Sequence, residues 1–337
     1  MTAADFEARA RRLIADLGLA SADAVMGATL LAGGVASDIG VVDLGDRQIC
    51  VKFALEKLKV AADWRAPVHR NRAEYAWLAF AATVAPSAVP MLHGWSATEN
   101  GFAMEYLAGP DILLWKAELL AGRVPQGAAA AVGAILGRIH AASAGPGFDA
   151  APFQNAEDFR ALRLEPYLGF TATRHPDLAE RLNSLATSLD EARTVLVHGD
   201  VSPKNILLRE GRPILLDAEC ATMGDAAFDV AFCLNHLVLK AVHLPANRPA
   251  LFAEARAFWA AYRGEVTFED TDALEARIAA LVPALMLARI DGKSPVEYLS
   301  EAERDRVRRL ATPLVAAPPA RLAALFPILQ SELDTHG

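Results

Sequence analysis

His198-Gly199-Asp200 is followed by four residues and then Asn205, and Asp217 closes an apolar run twelve residues later. Side chains of these types at this spacing suit phosphoryl transfer. Moving a phosphoryl group from ATP to a hydroxyl asks little covalent chemistry of a protein, and the work is to align the hydroxyl and neutralise charge with Mg²⁺. Asp200 can accept the hydroxyl proton, Asn205 offers a metal a neutral oxygen, and Asp217 offers a charged one. Mg²⁺ prefers oxygen ligands and borrows several from the nucleotide, so two protein ligands are a normal number. The apolar runs 206–208 and 213–216 flank the turn Arg209-Glu210-Gly211-Arg212, which predicts a hairpin bringing Asn205 and Asp217 to the same end.

The stretches HGDVSPKN (198–205), LLDAE (215–219) and GDAAFDVA (224–231) resemble the aminoglycoside phosphotransferase and choline kinase family of small-molecule kinases, distant relatives of the protein kinases. The resemblance implies an α+β, protein-kinase-like two-lobed fold with a mixed β-sheet N-lobe and a mainly helical C-lobe. It implies Asp200 as catalytic base, Asn205 and Asp217 as metal ligands, and His198, Asp225 and Asp229 as structural residues. ATP and Mg²⁺ are the implied cofactors. Glu219 is a candidate for touching metal or substrate. Lys204, beside Asn205, is placed either to reach the transferring phosphate or to face solvent.

Departures from the protein-kinase pattern favour a small hydroxyl compound as substrate. Gly199 stands where a protein kinase has Arg, Ala218-Glu219 stand where Phe-Gly is expected, and no Ala-Pro-Glu segment follows. Relatives act on aminoglycosides, choline or ethanolamine, methylthioribose, homoserine and hydroxylated acyl chains, and fold alone does not choose among them. The alternatives are a catalytically silent nucleotide-binding module of the same fold and, with less support, a protein kinase.

Upstream, residues 3–17 have helical spacing and residues 25–31, 38–43 and 48–54 read as strands. Between the first two strands, Gly33 and Gly34 with Ser37 fit a lid whose backbone N–H groups approach phosphates. Lys52 is an inward-facing cation in an apolar strand, costly unless something anionic meets it; the alternative is that it snorkels at a strand edge. The resemblance implies that Lys52 holds ATP phosphates and pairs with Glu74 in the helix expected over 71–83; Glu56 is the competitor. Residues 55–72 are locally basic, with Lys57, Lys59, Arg65, Arg70 and Arg72 against Glu56 and Asp63. That segment is either a solvated face or a holder for an anionic part of a substrate. After strands at 91–95 and 102–104, the backbone of Glu105, Tyr106 and Leu107 would, by resemblance, hold adenine at a hinge. The N-lobe then spans 1–105 and the C-lobe 106–337.

The C-lobe reads as helices over 125–142, 155–168, 176–189, 225–242, 248–262 and 272–290, with two more after Pro295. His140 reads as a helix-end residue facing the dipole, and Asp272 with Glu275 as a capping box. With 33 basic against 41 acidic residues the formal charge is −8, which argues against nucleic acid and mildly favours cationic or neutral substrates. The basic 55–72 segment points the other way, so neither assigns the acceptor a charge. The first residues lack the pattern of a signal peptide, and the most apolar stretch, 278–288, is far short of a membrane span. Cys50, Cys220 and Cys233 have no close-paired metal spacing and fit buried thiols in a cytoplasmic protein, with Cys220 a candidate to line the cleft.

Overall fold

The computed structural model describes residues 2–31, 37–55 and 70–335. Thr2 caps helix α1 (Ala3–Asp16) in a reciprocal box with Asp5. The buried face of α1, Phe6, Ala10, Leu13 and Ile14, lies on an antiparallel sheet. Strands β1 (Gly27–Leu30), β2 (Ser37–Asp43) and β3 (Gln48–Ala54) form a meander. Helix α2 (Arg70–Val84) follows, and then β4 (Leu92–Ser96) and β5 (Gly101–Glu105) complete the order β1-β2-β3-β5-β4. Strand periodicity sorts β3 into two faces. Ile49, Val51 and Phe53 pack with α1, whereas Cys50 and Lys52 face the α2 side. Gly40 permits the close approach of α1, since a Cβ there would sit 2.2 Å from a ring carbon of Phe6.

The rest of the chain is mainly helical. Its elements are β6 (Ile112–Leu114), α3 (Trp115–Leu120), α4 (Ala128–Ser143), α5 (Ala156–Phe159), a π-helix (Arg160–Gly169), α6 (Phe170–Arg174) and α7 (Ala179–Glu191). Four short strands follow, β7 (Val195–Val197), β8 (Ile206–Arg209), β9 (Arg212–Leu215) and β10 (Thr222–Gly224). Helices α8 (Ala226–His243), α9 (Arg248–Arg263), α10 (Thr271–Asp291), α11 (Glu301–Ala316) and α12 (Leu322–Thr335) complete it.

The expected hairpin is β8–β9, and Glu210 and Gly211 turn it with φ of 51° and 79°, as a tight two-residue turn requires. β6 adds to its edge and β10 pairs with β7; three-residue strands are too short to show a period in sequence. α8, buried from Ala226 through Val242, runs through the core of this lobe against α9 and α10. It is also the described helix long and apolar enough to cross a bilayer, a longer apolar run than 278–288, and 94% of that window is buried inside the fold.

Two local expectations are corrected. The helix expected over 155–168 is α5 continued by the π-helix, with Pro166, which has no N–H to donate, inside the wide turns and its carbonyl accepting from Lys293 N–H. The N-cap of α10 is Asp270, which accepts from the Ala273 N–H, so Asp272 and Glu275 form no capping box. Both instead pair with Arg321, and Glu275 also accepts from the Leu322 N–H, tying α10 to α12.

Candidate active site

The loop leaving β7 is held from below by Asp229, in the first turn of α8. Its carboxylate accepts from the backbone N–H groups of His198 and Gly199 at 2.6 and 2.8 Å. His140 lies in the last turn of α4, as expected, but its ring turns inward, buried beside Asp229 at 3.3 Å, with its other ring nitrogen 2.8 Å from the Tyr262 hydroxyl. Asp225 caps α8 and pairs with Arg277 at 2.8 Å. The His198 Nδ1 accepts from the Asp200 N–H, so its Nε2–H donates to the Leu216 carbonyl. Burial holds this imidazole below its ordinary pKa, and it is a neutral brace with Trp77 against its ring.

Gly199 adopts φ +78°, and a Cβ would lie 2.8 Å from Cys220 Cβ and 2.9 Å from the Cys220 carbonyl. No larger residue fits, which accounts for the missing Arg. Gly199→Ala is expected to destabilise the protein by at least about 1 kcal/mol from the left-handed backbone alone, read as a lower denaturant midpoint; an unchanged midpoint contradicts the packing described. Cys220 is fully buried and does not line the cleft, and burial pushes its thiol well above its ordinary value. Cys50 is likewise pushed up, to about 12.

Asp200 is buried and its Oδ2 is gripped by two cations. Arg163 Nη2 donates to it at 3.0 Å, and Lys204 Nζ lies 3.0 Å away. The Ser202 hydroxyl donates to Oδ1 at 3.2 Å. Burial raises the carboxyl, but Lys204 and Arg163 outweigh it and hold Asp200 below its ordinary value, hence ionised at neutral pH. Lys204 is half-exposed, with its Nζ turned to Asp200. Arg163 also donates to the Gly199 carbonyl, and the π-helix is what aims it at the loop.

Across the cleft, Lys52 Nζ lies 2.7 Å from Glu74 and also donates to Asp217. Both Lys52 and Glu74 are 2% exposed. Burial alone lowers Lys52, yet the carboxylates of Asp217 and Glu74 hold it above its ordinary value; burial pushes Glu74 up, against the pull of Lys52. Asp217 is held well below its ordinary value by Lys52 and Lys204 despite burial. Its φ is +68°, a left-handed conformation in a non-glycine residue of the kind that concentrates at functional sites. Asn71, from the first turn of α2, donates to the Lys52 carbonyl and so fixes β3 against the helix.

Asn205 donates its Nδ2–H to the Asp200 carbonyl, leaving Oδ1 as the amide acceptor, and its own carbonyl accepts from the Leu216 N–H. Asn205 and Asp217 thereby share one end of the hairpin. Among the described residues no three His, Cys, Asp or Glu side chains converge as a metal cage. One amide oxygen and one carboxylate fit Mg²⁺ that takes its other ligands from phosphate and water. Glu219 meets Arg70, fully buried at the start of α2, which donates to its Oε2 at 2.9 Å.

Ser37 is buried at the start of β2. Gly33, Gly34, Glu56, Lys57, Lys59 and Arg65 lie outside the described residues. Glu105 ends β5 and pairs with Arg209, while Tyr106 and Leu107 follow partly exposed. Tyr106 lines a cavity of about 350 Å³ with Gly27, Leu31 and Val41.

A family model described as "APH: Phosphotransferase enzyme family" matches residues 28–262. The chain belongs to this phosphotransferase family. No curated protein matches the sequence. Among solved structures, the chain is similar to a choline/ethanolamine kinase family protein from Mesorhizobium loti, with 19% identity, TM-score 0.55, and 99% of this chain and 100% of that one covered. Amicoumacin kinase hAmiN, solved in complex with AMP-PNP, Ca²⁺ and Ami, matches with 17% identity and TM-score 0.57 over 88% and 90% of the chains. An aminoglycoside phosphotransferase from Alicyclobacillus acidocaldarius gives 14% identity and TM-score 0.50 over 93% of each. The phosphotransferase fold is therefore protein-kinase-like, with a sheet-bearing N-terminal lobe and a mainly helical C-terminal lobe.

Sequence reasoning missed Arg163 and the Arg70–Glu219 pair in this family member. Arg70 carried a signal as part of the basic segment, though it turns inward; nothing local marks Arg163.

Proposed function

We propose that this phosphotransferase moves the γ-phosphoryl group of ATP to a hydroxyl of a small molecule. What supports it above all is the pairing of two differently held carboxylates: Asp200, fixed by Arg163 and Lys204, and Asp217, facing Lys52 and Glu74. Asp200 orients the acceptor hydroxyl and takes its proton on Oδ1, the oxygen that meets only a hydroxyl. The acceptor oxygen bonds to the γ-phosphorus as the bond to the bridging oxygen breaks, and ADP leaves with that electron pair. A weakly basic carboxylate suffices, because the proton is transferred late in a loose transition state. Bound Mg²⁺ would neutralise developing phosphate charge, with Asn205 and Asp217 as its protein ligands. Lys52, oriented by Glu74, would hold the nucleotide phosphates with the backbone near Gly33, Gly34 and Ser37. The cavity lined by Leu31, Val41 and Tyr106 with the polar Thr29, Asp43 and Gln48 would seat the base next to the 105–107 backbone, and the amicoumacin kinase of similar fold was solved with AMP-PNP.

Calorimetric titration with Mg·AMP-PNP tests this: saturable binding, lost with EDTA and weakened in Asp217→Asn, is expected, and no binding to the wild-type protein overturns it. Arg163 acts through Asp200 as a positioning residue. Arg163→Met is expected to lower kcat about tenfold to a hundredfold, the worth of a charge-assisted hydrogen bond, with KM for Mg·ATP unchanged and partial recovery in Arg163→Lys. An equal loss in the Lys variant with a raised KM for ATP speaks instead for a general packing role.

A further inference from the structure

Near Lys204, the cations Lys240 and Arg289 are buried together with the neutral His236, and among the described residues no acid pairs with them. Lys240, in the last turn of α8, is 1% exposed, and its one described hydrogen bond, to the His236 carbonyl, is long at 3.4 Å. Its Nζ lies over the Tyr298 ring at 5.1 Å. Arg289, from α10, is 8% exposed; its Nη1 donates to the Tyr167 hydroxyl at 3.2 Å and to Ser294. His236 is 6% exposed. The carboxylates that reach the group, Glu297 and Glu303, are already tied to Lys116 and His243.

Three polar atoms of this cluster have no hydrogen-bond partner among the described residues: His236 Nε2, Arg289 Nε and the Tyr298 hydroxyl. Buried polar atoms are ordinarily paired, and two donors, Arg289 Nε and the Tyr298 hydroxyl, orphaned beside Lys240 mark the place of a missing acceptor. Burial, with Lys116 and Arg289 nearby, pushes Lys240 down to about 7, and an anion placed beside it would favour its charged form. The cluster also adjoins the chemistry. Tyr167, which meets Arg289, lies on the same π-helix as Arg163, and His236 feels the charge of Lys204, the partner of Asp200.

We propose that this cluster binds the anionic group of the acceptor, so that the hydroxyl compound phosphorylated at Asp200 carries a carboxylate or a phosphate. The inference rests on the phosphotransfer reading above and gives the acceptor the sign that net charge and the 55–72 segment leave open. Lys240, Arg289 and the Tyr298 hydroxyl would supply the donors. A cationic acceptor would meet like charges there.

The test titrates inorganic phosphate and acetate, at constant ionic strength, into wild-type protein saturated with Mg·AMP-PNP so that the nucleotide site is filled. Saturable binding of either anion is expected, weakened at least tenfold in Lys240→Met and measurably in Tyr298→Phe, a milder change should the Lys variant not fold. Phosphate alone points to a phosphorylated acceptor, and acetate alone to a hydroxy acid. No saturable binding of either, or binding unaffected by the variants, overturns the inference. In parallel, ADP release is compared for glycerate, glycerol 3-phosphate, glycerol and choline; preference for choline or glycerol overturns the anion site and leaves the kinase reading standing. If Mg·AMP-PNP itself does not bind, the kinase reading falls, while the anion titration against Lys240→Met still reports on the cluster.

Discussion

Asp200→Asn is expected to lower kcat by about 10²- to 10⁴-fold, the range of a lost general base, while Mg·ATP affinity stays within a few-fold. The amide keeps the shape of the carboxylate but cannot take the acceptor proton, and it offers Arg163 and Lys204 no negative charge. The nucleotide side of the cleft, Lys52 with Glu74 and Asp217, shares with Asp200 only the cation Lys204, which the variant leaves in place, so nucleotide binding changes little. Steady-state kinetics with a productive acceptor, alongside calorimetric titration of Mg·AMP-PNP, reads both quantities. Near-normal turnover removes Asp200 from the chemistry. A parallel collapse of nucleotide affinity instead makes it part of the nucleotide site.

Lys52→Met is expected to give the largest stability loss in the sheet lobe, about 3–5 kcal/mol, because it leaves a buried carboxylate uncompensated. Glu74 is as buried as Lys52, and Asp217 loses its closest cation. Mg·ATP affinity should fall with it. The double variant Lys52→Met/Glu74→Gln separates the two effects: removing the stranded charge should restore part of the stability, since a neutral pair of similar shape is tolerated where half an ion pair is not, while nucleotide affinity stays low. Denaturant titration of the single and double variants measures the coupling. Additive losses would contradict a direct Lys52–Glu74 interaction.

What was legible in the sequence was the part whose chemistry is local. His198, Asp200, Asn205, Asp217 and Asp229 fall within one short stretch, and the hairpin that brings Asn205 and Asp217 together is written in two apolar runs around a Glu-Gly turn. Lys52 stood out as a charge in a strand of otherwise apolar character, and the resemblance supplied Glu74 as its partner, which the structure places at 2.7 Å. Two of the groups that hold this chemistry in place, Arg163 and Arg70, were not legible. Arg163 reaches Asp200 across 37 positions, and Arg70 reaches Glu219 across 149. Such contacts depend on how helices pack, and in the case of Arg163 on wide π turns whose sequence reads as an ordinary amphipathic helix. His140 went astray for the same reason: at the level of one helix it sits near a C-terminus, and only the fold brings Tyr262 and Asp229 to it. The capping-box reading of Asp272 and Glu275 shows a spacing rule overridden by a tertiary partner, Arg321, and by a better cap two residues earlier.

The most direct test of the account is transfer of label from γ-³²P-ATP to a panel of small hydroxyl compounds of each charge, by the purified protein with Mg²⁺ and by Asp200→Asn in parallel. The account predicts that label appears on an acceptor, that anion-bearing compounds take it best, and that the Asn variant transfers at least a hundredfold more slowly with nucleotide still bound. Label transferred equally well by the wild type and the variant would contradict the central assignment.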